Sequence, residues 1–108
     1  MNTRTDTLRR LEATIAERMT ASPETSYVAK LYSRGTSKIA QKVGEEATEV
    51  VIAAMTGVSE ELVSESADLI FHLLVLLQAQ GVSLDDVLAE LDKREGLSGL
   101  AEKASRSE

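Results

Sequence analysis

Apolar residues recur at spacings of three and four along almost the whole chain, and no stretch alternates with the two-residue period of a strand. That pattern confines the chain to helices, each with an apolar stripe to bury against a neighbour. Leu8, Leu11, Ile15 and Met19 mark a first helix over about residues 6 to 20, with Asp6 as its expected cap. Ser22-Pro23 ends it, because proline disfavours helix in the residue before it. A short helix is expected from about Thr25 to Arg34, stopped by Gly35. Thr36 or Ser37 is positioned to cap a third helix that runs to about Thr56, before Gly57. Ser59 is positioned to cap a fourth, ending at Gly81, and Ser83 with Asp86 opens a fifth that fades near Gly96. The tail, about residues 97–108, is rich in Ser, Lys and Glu and is expected to be loosely ordered unless something holds it. The expected fold is all-α, a single domain over residues 1–108 built as a bundle of about five helices.

At 108 residues the chain is short enough that burying a sufficient core alone is marginal, and association with another copy would help. It has no cysteine, which excludes disulfides and thiolate zinc sites and fits a reducing cytosol. The N-terminus, Met-Asn-Thr-Arg-Thr-Asp, lacks the apolar core of a signal peptide. The longest apolar run, Leu69 to Leu77, is interrupted by His72 and is too short to cross a bilayer, so no membrane partner is expected. Twelve basic against eighteen acidic residues give a net charge of −6, which argues against nonspecific nucleic-acid binding. An acidic protein still binds an anionic substrate where metal ions and a few local cations intervene.

The acids themselves are placed in pattern. Glu46 and Glu49 stand three apart on the third helix, and Glu65 and Asp68 three apart on the fourth, so each pair projects from one face. Brought face to face, the four form a hard oxygen cage suited to Mg²⁺. On the third helix Lys38, Lys42 and Glu49 share a narrow stripe flanked by Glu45 and Glu46, while Ile39, Val43, Ala47, Val50 and Ala54 form the arc expected to face the core. A solvated polar face is the competing reading of the stripe. Local energetics weigh against it: Lys38 and Lys42 sit near the positive end of the helix dipole, and Glu45 and Glu49 repel at a spacing of four. Gly44 inside the helix costs roughly 1 kcal/mol against alanine and leaves room for a close neighbour or ligand. Bound phosphate and Mg²⁺ would account for these costs together. His72 follows Asp68 by four on a nearly all-apolar helix; it reads either as a hydrogen-bonded core histidine or as a residue orienting Asp68. No Glu-x-x-His pair, EF-hand loop or P-loop occurs, which leaves Mg²⁺, with Mn²⁺ as a substitute.

Glu-Glu-x-x-Glu followed by Glu-x-x-Asp resembles the motif of the all-α (MazG-like) nucleoside triphosphate pyrophosphohydrolases. Longer strings are more specific: Ser26-Tyr27-Val-Ala-Lys30-Leu, Gly35-Thr-Ser-Lys38-Ile39, Lys42-Val-Gly-Glu-Glu-Ala-Thr-Glu49, Ala67-Asp68-Leu-Ile-Phe-His72 and Arg94-Glu-Gly-Leu-Ser-Gly99 with Glu102-Lys103-Ala-Ser-Arg106. These resemble the phosphoribosyl-ATP pyrophosphatase family. The resemblance implies hydrolysis of phosphoribosyl-ATP to phosphoribosyl-AMP and pyrophosphate, the second step of histidine biosynthesis, by a cytoplasmic enzyme. It also implies a homodimer that completes the bundle from both copies. Carried onto this chain, it makes Glu46, Glu49, Glu65 and Asp68 the Mg²⁺ ligands, with Glu46 and Glu49 in the catalytic group. Lys38 and Lys42 become the phosphate-binding cations, with Arg34 as a further phosphate-binding candidate or a surface charge, and Lys30, Lys103 and Arg106 as further candidates or mere surface charge. Glu45 becomes a candidate general base or a surface acid, and His72 a support for Asp68 or a metal-bound water.

Overall fold

Each apolar stripe forms one helix in the computed structural model, which describes residues 4–96. A 3₁₀ turn, Arg4–Asp6, leads into α1 (Thr7–Arg18), followed by α2 (Tyr27–Ser33), α3 (Thr36–Thr56), α4 (Ser59–Ala79) and α5 (Leu84–Glu95). Among the described residues there is no strand. The expectations for the tail, and for Lys103 and Arg106 on it, lie outside the described residues.

α3 and α4, 21 residues each, are joined through Gly57 and Val58 into a long antiparallel hairpin. Gly57 takes φ 77°, ψ 12°, a left-handed conformation that stops α3 and that a side chain would strain. α1 packs across α4, and α2 bridges α1 and α3. The stripes meet in one core of Ile15, Val28, Leu31, Ile39, Leu74, Val75 and Leu84. Polar ties hold the ends: Gln80 Nε2 donates to Thr36 Oγ1 at 2.8 Å, and the Leu84 amide donates to Glu12 Oε2 at 2.8 Å.

The caps follow the residue types only where the backbone turns out of helical geometry. Ser26 and Ser83 are extended, and their hydroxyls accept from the amides of Ala29 and Asp86. Asp6 stays helical, continuing the 3₁₀ turn, and its side chain does not cap α1. Thr36 and Ser59 are already the first helical residues, with Gly35 and Val58 at the cap positions. The core arc of α3 is rotated toward Ala53, which is buried, while Ala54 is exposed. No atom of the described chain lies within 4 Å of where a Cβ on Gly44 would stand, so the glycine is not explained by a close neighbour within the chain.

The fourth helix, nearly all-apolar in sequence, is only partly buried by the chain itself. His72, Leu74 and Val75 are buried, but Ile70 and Leu73 remain 43% and 39% exposed. Val51, Ile52, Met55, Leu62 and Val63 on the same hairpin are also exposed. One apolar side of the hairpin therefore has no cover within the described chain. Taken whole, α4 is also long and apolar enough to span a membrane by length and composition, a property that core helices of soluble bundles share.

Candidate active site

The turn at Gly57 explains why the two acidic pairs meet. Glu49 and Glu65 stand equally far before and after it, and so do Glu46 and Asp68 one turn further out. In an antiparallel hairpin, residues equidistant from the turn lie opposite one another. Carboxylate oxygens of Glu46, Glu65 and Asp68 accordingly come within 4.8 Å of one another. Glu49 lies outside that group on an exposed position, although its charge is felt by Glu65.

Three acids this close repel. Partial desolvation, then the charges of Asp68, Glu49, Glu46 and Glu61, push the Glu65 carboxyl above the usual carboxylate range. Some compensation comes from Lys42, whose ammonium lies 3.6 Å from Glu46 and 3.5 Å from Glu45. The donor set suits a divalent cation with hard-oxygen preference: carboxylates converge, no cysteine exists, and the single histidine is engaged elsewhere.

Beside the acids lies a cavity of about 260 Å³ lined by Tyr27, Lys30, Leu31, Arg34, Lys38, Lys42 and Glu45. Its walls are two helical stripes. Residues 27, 30, 31 and 34 share one face of α2 and its end, and 38, 42 and 45 share one face of α3. Gly35, at φ 93°, makes the sharp bend that folds one stripe against the other. Four cations thus surround one opening in a protein of net charge −6, and Lys42 stands on its border with the acid cluster. Desolvation opposes the charge on Lys42, but Tyr27, Glu45 and Glu46 outweigh it and raise its pKa. Glu45 is held below the ordinary carboxylate range, chiefly by the Gln41 side chain, which donates to it at 2.8 Å, and then by Lys42 and Lys38. A carboxylate stabilised in this way is a poorer proton acceptor.

His72 is buried and bonded through both ring nitrogens. Nδ1 lies 2.7 Å from the backbone carbonyl of Asp68, and Nε2 lies 2.7 Å from the Tyr27 hydroxyl. It supports the turn of α4 that carries Asp68 through the main chain. The sequence reading missed Tyr27 as a wall of the cation pocket. Its spacing of three and seven before Lys30 and Arg34 was the available signal.

A family model described as phosphoribosyl-ATP pyrophosphohydrolase matches residues 8–95. Curated relatives agree over nearly their whole length. A phosphoribosyl-ATP pyrophosphatase of Erythrobacter litoralis is 72% identical over 103 residues, covering 95% of this chain and 99% of the relative. One of Novosphingobium aromaticivorans is 67% identical, covering 93% and 94%, and one of Rhizorhabdus wittichii is 63% identical, covering 94% and 96%. With its acid cluster and cation pocket inside the matched region, the chain belongs to the phosphoribosyl-ATP pyrophosphohydrolase family of hydrolases.

Proposed function

We propose that this protein hydrolyses phosphoribosyl-ATP to phosphoribosyl-AMP and pyrophosphate, the second step of histidine biosynthesis, with Mg²⁺ as cofactor and Mn²⁺ as a substitute. The observation that carries the reading is the meeting of a four-cation pocket and a three-carboxylate cluster at Lys42, inside the region that matches the family. A polyphosphate needs both: cations along its oxygens and a hard divalent ion at the bond that breaks.

Lys38, Lys42, Arg34 and Lys30 bind the phosphate chain and screen its charge. Glu46, Glu65 and Asp68 would hold the divalent cation, with Glu49, one turn along α3, as a further candidate ligand. When bound, that ion polarises the phosphoryl oxygens and acidifies water. Water adds to one phosphorus of the α–β phosphoanhydride, the bridging oxygen leaves with the other, and the water proton passes to a nearby carboxylate. Glu45, kept ionised by Gln41, Lys42 and Lys38, holds Lys42 in place at 3.5 Å. His72 fixes the Asp68 turn from behind.

The exposed apolar side of the α3–α4 hairpin, including Val51, Ile52, Met55, Val63 and Ile70, supports a homodimer in which a second copy covers it. A small cytoplasmic nucleotide enzyme with neither nucleic-acid nor membrane partners fits the net charge of −6 and the cysteine-free sequence. The test is pyrophosphate release from phosphoribosyl-ATP with and without Mg²⁺, with ATP in parallel. Metal-dependent release from phosphoribosyl-ATP alone is expected. Equal release from ATP would instead place the protein among general triphosphate pyrophosphohydrolases.

A further inference from the structure

Tyr27 contributes the one uncharged polar side chain among the lining residues of the cation pocket, and its hydroxyl lies 2.7 Å from a ring nitrogen of His72. The Asp68 carbonyl only accepts, so the Nδ1 atom of His72, 2.7 Å away, carries the ring hydrogen. In the neutral imidazole Nε2 is then an acceptor, and the Tyr27 hydroxyl, at 2.7 Å, donates to it. Edge-on ring contacts with Tyr27 and Phe71, at centroid distances of 5.6 and 5.3 Å, hold the imidazole in this orientation. The phenol ring in turn stacks on Phe71 at 6.2 Å.

A phenol that has given its hydrogen to His72 offers only lone pairs to anything else. Ionised phosphate oxygens also offer only lone pairs, so the two repel. The oxygen belongs to a lining residue of the cation pocket, the place proposed above for the phosphates, and Lys42 is the charge that acts on it most, followed by Glu46, Asp68 and Glu45. Along a nucleotide, the hydrogen-bond donors nearest the phosphate chain are the ribose hydroxyls. We propose that Tyr27 is a specificity-determining residue: its oxygen, held as an acceptor by His72, receives a hydrogen bond from a sugar hydroxyl of the bound nucleotide and makes none to the phosphates. This rests on the nucleotide substrate proposed above.

The test compares wild type with Tyr27→Phe, which keeps the ring and removes only the oxygen. In Mg²⁺, the KM for phosphoribosyl-ATP is expected to rise about fivefold, the loss typical of one hydrogen bond, with kcat little changed. The Kd for pyrophosphate, measured calorimetrically, is expected to stay the same or tighten. A matching loss of pyrophosphate affinity would mean that the phenol donates to phosphate, and an unchanged KM would mean that it touches no sugar hydroxyl; either overturns the proposal. A second readout needs no variant. His72 is the single histidine of the chain, so its ¹⁵N imidazole spectrum is unambiguous. The neutral Nδ1–H tautomer is expected, and an Nε2–H ring or an imidazolium would overturn the assignment. Wild-type protein that does not turn over phosphoribosyl-ATP would defeat the function and this contact together. Active wild type with an unaffected Tyr27→Phe would defeat the contact alone.

Discussion

At the scale of single residues, the site is a balance of charges left deliberately uneven. Glu65 sits among like charges, and replacing it by Gln removes part of that repulsion. Glu65→Gln is therefore expected to melt higher than wild type in EDTA and to gain less from added Mg²⁺, as differential scanning fluorimetry would show. A lower melting temperature in EDTA would mean that Glu65 is a structural partner rather than a ligand kept under strain. Tyr27 gives a pH signature. Burial, supported by Glu46, Asp68 and Glu45 and resisted by Lys42, raises its pKa above 10.0. In the unfolded chain the phenol releases its proton near 10, whereas in the folded chain it releases it later. Its contribution to stability is thus lost as pH rises from about 10 through the folded value. Absorbance titration should show a delayed tyrosine component that disappears in Tyr27→Phe.

At the scale of elements, helix existence and the glycine stops at Gly57 and Gly96 were written in the sequence, whereas not every starting cap was. The three-and-four spacing of Leu8, Leu11 and Ile15 survives any backbone detail, because burial depends on the stripe as a whole. A cap depends on one residue's φ and ψ: Asp6 stands at the N-cap of α1 in helical geometry without a side-chain cap bond, and Thr36 and Ser59 lie one residue inside helices capped at Gly35 and Val58. The acid pairs were legible as helical faces, but their opposition needed the position of the Gly57 turn, and the cation pocket needed the bend at Gly35. Both are tertiary facts. Gly57→Ala is expected to cost about 1 kcal/mol, from forcing a side chain into left-handed geometry. Chemical denaturation would measure it, and no loss would mean that the hairpin turn relaxes freely. Ser26→Ala should cost about 1 kcal/mol by removing the cap on the Ala29 amide.

At the scale of the whole molecule, the hairpin that builds the site also carries an uncovered apolar side. His72, Leu74 and Val75 are packed against the chain's own core, while Val63 is 69% exposed and Met55 83%. The sequence announced an apolar helix; it had no means of saying whether the chain itself or a second copy covers it, since both bury the same side chains. If a second copy does, sedimentation should give a dimer for wild type, and Val63→Asp should shift it toward monomer and lower the melting temperature. A monomeric wild type would remove the dimer from this account without touching the site.

The most direct test of the site is a Mn²⁺ titration followed by the electron paramagnetic resonance signal of the free ion. Wild type should deplete that signal, and Glu65→Gln and Asp68→Asn should each weaken binding by well over about tenfold, since even outer-shell changes at metal sites cost 10- to 100-fold as a rough rule. If the variants bind Mn²⁺ as tightly as wild type, or if wild type does not bind it, the cluster of Glu46, Glu65 and Asp68 is a solvated acidic face and not a metal centre.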